Sequence, residues 1–173
     1  DAYISLRYAR NLAHGDGLTW NAGEPVEGYT DFLWVLLLSL GGSAPVAAWA
    51  IGALAGAALL VVLAYPPRGL RVPGAAGALL PLSLAANLAF SFWAAKGLET
   101  ALFTLLVTAG LFLHAGARLG ASSHARHSRT GLLGIHLLAL SALTRPEGLI
   151  FLGLAVLDRA RRRGEPATRL AAV

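Results

Sequence analysis

Three windows of about twenty residues, 46–65, 74–93 and 98–117, decide what this chain can fold into. They carry a single ionised side chain among them, Glu99. A run of roughly 20 apolar residues is enough to cross a hydrocarbon core of about 30 Å as a helix. In lipid, only helices and closed barrels satisfy their own backbone hydrogen bonds. The alternating ten-residue strands of a barrel are missing, so the expected fold class is all-α, a polytopic helical membrane protein. Two shorter apolar runs, 132–144 and 149–157, follow.

Composition agrees. Hydrophobic residues make up 56% and charged residues 13% of the 173, with a mean hydropathy of +0.62. Soluble domains carry about 25% charge. With no cysteine in the sequence, disulfides and thiolate metal sites are excluded within this span. The chain opens inside a motif and without Met. It is therefore expected to be a piece of a longer protein, cut at both ends, with at least one transmembrane helix before it.

The pI near 10.4 could suggest nucleic acid, but the placement of the cations argues for topology. Arg68 and Arg71 follow the first window. Arg118, Arg126 and Arg129 follow the third, and Arg159, Arg161, Arg162, Arg163 and Arg169 follow the last apolar run. If these groups are cytoplasmic, ten of the fourteen basic residues lie inside, the bias that membrane insertion favours. Segment 1–31 then faces outside, with the turns at Lys96–Glu99 and Arg145–Glu147. The expected organisation is an outer loop (1–31), transmembrane helices (32–158) and a basic cytoplasmic segment (159–173). Segment 32–40 is awkward. Nine residues of helix reach only about 14 Å, so it is either a short interfacial helix or part of a tilted span. Runs 132–144 and 149–157 read as half-length helices meeting at Pro146.

Five of the nine carboxylates, Asp1, Asp16, Glu24, Glu27 and Asp31, crowd into the outer loop. Ile4, Tyr8 and Leu12 recur at helical spacing, which predicts an amphipathic helix resting on the membrane surface. Asp1 can cap that helix or act as a general base toward an acceptor hydroxyl. Asp16, Asn21 and Glu24 sit in turn sequences, and Thr30 or Asp31 is expected to cap the next helix. Glu27 has no evident structural duty. Tyr29, Phe32 and Trp34 suit anchoring of the loop at the membrane interface. Lys96 and Glu99 form one candidate pair between apolar segments, where ionisable residues are costly and often functional. Arg145 and Glu147 form another. Arg145 has the planar fork that suits a phosphate, and a local ion pair is the competing reading at both turns.

Three motifs, DAYISLRYARNLAHGDGLTWNAGEPVEGYTDFLW, WAAKGLETALF and ALTRPEGL, together resemble polyprenyl-phosphate-dependent membrane glycosyltransferases of the GT-C superfamily. The likeness is strongest to the actinobacterial arabinofuranosyltransferase group and runs in order from Asp1 to about Asp158. The resemblance implies a GT-C-like transmembrane domain in a bacterial plasma membrane with its active site facing outside. It implies sugar transfer, with arabinofuranose one candidate, from a polyprenyl-phosphate donor to a glycan or lipid acceptor. Asp1, or the residue that would precede it in an Asp-Asp pair, matches the expected base. Arg7, Tyr8, Glu27, Tyr29, Lys96, Glu99, Arg145 and Glu147 are the residues expected to bind substrate. No metal ligands are assigned, and assistance by a divalent cation stays open. The alternative is a non-catalytic membrane transporter or assembly subunit, whose ionisable groups would lie nearer the bilayer midplane.

Overall fold

The structure is a computed structural model. It describes residues 2–21, 23–24, 26–42, 44–119 and 129–164, with side chains through 161. Among these residues the architecture is all-helical, apart from one isolated bridge between Asn21 and Glu24. The helices are α1 (Ala2–His14), α2 (Phe32–Leu40), α3 (Pro45–Ala64), α4 (Ala76–Ala85), α5 (Leu88–Ala95), α6 (Thr100–Leu119), α7 (Arg129–Thr144) and α8 (Gly148–Gly164).

Two of the three long windows form unbroken helices of 20 residues, α3 and α6, each long and apolar enough to cross a membrane. Pro45 sits in the first turn of α3, where its missing N–H leaves no bond unmade. The middle window, expected as one span, is instead two helices, α4 and α5, bent by 56°. The physical cause is local. Asn87 adopts an extended backbone and its side chain accepts from the Phe90 N–H at 2.9 Å, starting α5 afresh. Pro81, within α4, removes one backbone donor as well. Among the described residues there are thus two candidate spans, or three if the bent pair is one.

Segment 32–40 is the short helix, not a tilted span: α2 has 9 residues, about 14 Å at 1.5 Å each. It is nonetheless central. Trp34, Val35 and Leu38 are fully buried, in a cluster with Leu6, Tyr8 and Ala9 of α1 and Ala48 of α3. The first helix forms as its periodicity predicts, but its inward face differs from expectation. Ser5, Leu6, Tyr8 and Ala9 are buried, whereas Ile4 is 38% exposed. Small Ser5 and Ala9 let α1 lie against α2, so the apolar stripe serves a helix contact and not only a membrane surface.

Helix α6 packs most extensively on α7, then on α3. The α6–α7 contact rests on paired glycines. A Cβ at Gly134 would lie 2.7 Å from the Gly110 carbonyl oxygen and 2.8 Å from the His114 nitrogen. Close backbone approach through small residues is how helices associate in membranes, where hydrophobicity cannot drive them together. The last two helices meet at Arg145–Glu147 as expected, but at 16 and 17 residues they are longer than the half-length runs. However, α8 runs on to Gly164, so the first part of the basic segment is helical.

Candidate functional site

Three turns gather at one end of the bundle. The turn between α5 and α6 is held by Gly97, whose φ of +76° belongs to the left-handed region that glycine tolerates. A Cβ there would meet Ala48 at 3.0 Å and Trp49 at 3.2 Å, so the turn lies tight on the start of α3. This fixes Glu99 just before α6. Across from it, Arg145 leaves the end of α7. Its Nε donates to Glu99 Oε1 at 2.7 Å, and its Nη2 lies 2.6 Å from the same oxygen. Nη2 also donates to the Thr100 hydroxyl at 3.1 Å. The Phe103 ring lies 5.9 Å from the guanidinium carbon. Both local-pair readings therefore give way to one pair across 46 residues. Lys96 is exposed with its ammonium 4.8 Å from the Phe92 ring, and Glu147 is exposed beside the pair's turn.

Asp31, expected as a helix cap or its neighbour, makes no cap bond with its side chain. It is buried, and its Oδ2 accepts the Ser5 hydroxyl at 2.6 Å. Burial pushes its carboxyl above the ordinary value of 3.8. The Ser5 hydrogen bond opposes this, Glu99 adds to it, and Arg145 works against it. Asp31 therefore feels the charges of the Glu99–Arg145 pair, and Ser5, Asp31 and Thr100 join that pair in one polar patch. The sequence does not show that these three residues come together. Asp31 stands out there only as an outer-loop carboxylate or cap, and nothing marks Ser5 or Thr100.

The raised value has a definite sign. The folded chain holds the Asp31 proton more tightly than the unfolded chain does. Its stabilising contribution is thus complete below pH 3.8 and is lost as pH rises through the elevated folded value. Asp31→Asn keeps an oxygen acceptor for Ser5 and has no charge to desolvate. It is expected to raise the unfolding midpoint at pH 7, with no difference from the parent below pH 3.8. A variant less stable than the parent at both pH values contradicts this account.

The outer-loop candidates hold the loop together. Arg7 donates from Nε to the Trp20 carbonyl at 2.8 Å and from Nη2 to Asn21 Oδ1 at 2.9 Å, with its guanidinium 4.7 Å from the Trp20 ring. Asn21 in turn donates to Glu24 at 3.0 Å. Tyr8 is 1% exposed. Its hydroxyl donates to the Val26 carbonyl at 2.7 Å and accepts from the Gly28 N–H at 3.0 Å, and its ring packs 4.8 Å from that of Tyr29. Tyr29 is half-buried. Burial, then the charge of exposed Glu27, pushes its phenol above 10.0. Arg7, Arg10, Asn11, His14 and Asp16 line a polar recess of about 280 Å³ on the other side of α1. Asp1 lies outside the described residues.

Among the described residues, fold and site together define a helical architecture with two, or with the bent pair three, helices long and apolar enough to cross a membrane. An Arg–Glu pair and a buried Asp sit at one end of it. The chain matches no protein-family model, and no curated protein or solved structure is similar to it.

Proposed function

We propose that the protein is a membrane glycosyltransferase of GT-C type. In this reading it moves a sugar, arabinofuranose being one candidate, from a polyprenyl-phosphate donor to a glycan or lipid acceptor outside a bacterial plasma membrane. The observation that carries the reading is the fixed Arg145 fork. Glu99 and Thr100 engage its Nε and Nη2, while Nη1 makes none of the hydrogen bonds among the described residues. Two oriented N–H donors remain for an anion, at the end of the bundle where the carboxylate-rich loop also lies. The arrangement suits an anion that gains charge during a reaction, because prealigned donors need no reorganisation at that moment.

The reaction is an inverting displacement. The acceptor hydroxyl oxygen bonds to the anomeric carbon as the bond from that carbon to the lipid phosphate oxygen breaks. The electron pair leaves with the phosphate, whose charge Arg145 offsets, aided by Lys96 from the turn that carries Glu99. The hydroxyl proton passes to a carboxylate, assigned to Asp1. Glu99 orients Arg145, and Asp31 with Ser5 ties α1 to the same patch. The alternative of a transporter finds less support, since the charged pair sits at helix ends and not within α3 or α6.

The test supplies the protein in membranes with labelled polyprenyl-phosphate sugars. Asp1→Asn is expected to abolish or severely reduce transfer at normal expression. Unchanged turnover in that variant removes Asp1 as the base.

A further inference from the structure

A second cavity lies at the opposite end of α3 from Arg145. Helix α3 starts beside the Gly97 turn and runs 20 residues, about 30 Å, away from it. At its far end a groove of about 770 Å³ opens between the last turns of α3, helix α4 and Phe112 of α6. That volume falls within the range of about 300–1,000 Å³ usual for small-molecule sites. Its walls are almost wholly apolar, including Leu60, Leu63, Leu80 and Pro81, and no lining residue is acidic. Around it Val61, Tyr65, Leu79 and Leu82 are 58–74% exposed, more contiguous apolar surface than water-facing proteins usually show.

One cation breaks the apolar lining. Arg71 borders the groove, with its Nε held on the Pro66 carbonyl at 3.1 Å. Its Nη groups make no hydrogen bond among the described residues. Arg68 is exposed three residues earlier. The short 3₁₀ turn Arg68–Leu70, which Arg71 follows directly, is pressed onto the end of α6. A Cβ at Gly69 would lie 2.7 Å from Leu119 Cβ, and one at Gly116 would lie 2.7 Å from Pro67 Cβ. The cations are thus positioned by backbone packing and not left on a loose loop.

We propose that this groove is a binding site for an anionic phospholipid, with an acyl chain along α3 and α4 and the headgroup phosphate at Arg71 and Arg68. An amphiphile matches both features at once, because the apolar walls accept a chain and the guanidinium fork accepts a phosphate. A packing helix would fill the walls but leave the Arg71 fork unanswered. Basic pockets between membrane helices recognise lipid headgroups in the same way. The site is remote from Glu99–Arg145 and stands whether or not the protein transfers sugar.

The test uses the whole chain in nanodiscs of phosphatidylcholine containing a trace of phosphatidylglycerol with a photoreactive acyl chain, followed by mapping of the labelled peptides. Labelling is expected in the peptides bearing Leu60, Leu80 and Phe112, competed by unlabelled phosphatidylglycerol but not by inorganic phosphate. Either Arg68→Gln or Arg71→Gln should weaken it about fivefold, and the two together about twentyfold. Ala78→Trp, which fills the groove without touching either arginine, should remove it while helicity by circular dichroism is unchanged. Equal labelling by photoreactive phosphatidylcholine, labelling spread over all lipid-facing helices, competition by phosphate alone, or no labelling because protein covers the groove would each overturn the proposal.

Discussion

Arg145→Met is expected to lower sugar transfer by about 10²–10³-fold, the loss typical when one prealigned donor to a developing anion is removed. Stability should fall too. The Glu99 side chain is only 12% exposed, so losing the guanidinium strands a largely desolvated carboxylate. Breaking a buried pair costs about 3–5 kcal/mol, but Arg145 is 35% exposed and water can enter, which brings the figure nearer about 2 kcal/mol. Adding Glu99→Gln removes the stranded charge and should restore most of the stability while leaving transfer low. Arg145→Lys keeps the charge without the fork and should fall between. Activity and unfolding midpoint measured on all three variants and the parent separate the two roles. A folded Arg145→Met variant that transfers normally rules out the guanidinium as the phosphate's partner.

The second large effect is at Trp34, 0% exposed at the junction of α1, α2 and α3. Trp34→Ala should cost about 3–5 kcal/mol, the usual range for emptying an aromatic site. Total stabilities are only about 5–15 kcal/mol, so the variant would stand close to unfolding. The damage should be uneven. Helix α1 has its buried face against this cluster, so its amides should exchange faster than those of α6 and α7, whose contact rests on Gly110 and Gly134. Hydrogen exchange read by mass spectrometry in detergent checks this. Uniform loss across all helices, or a cost below about 1.5 kcal/mol, contradicts a keystone role for Trp34.

The long apolar windows were legible because length and lack of charge alone suffice for α3 and α6. Window 74–93 was not, since its average hydropathy is hardly lowered by Asn87, yet that one side chain restarts the helix. The candidate site was legible as a set of turns but not as a set of contacts. Glu99 has Lys96 three residues away and Arg145 has Glu147 two away, and sequence proximity favours those pairs. The packing of α6 on α7 instead brings Arg145 to Glu99. Asp31 was hidden for a related reason. A carboxylate before a helix looks the same whether it caps or is buried, and what distinguishes them is Ser5, 26 residues upstream. The face of α1 was misjudged because periodicity weighs large residues, whereas close packing on α2 selects small ones.

The central claim is that the leaving group is a lipid phosphate. The measurement that tests it most directly is the release of free polyprenyl phosphate by the membrane-embedded protein given a doubly labelled donor and an acceptor glycan. One polyprenyl phosphate should appear for each sugar transferred, and both should fall together in Arg145→Met. Sugar transfer without release of the lipid phosphate, or no turnover of any polyprenyl-phosphate sugar by the intact protein, contradicts the account.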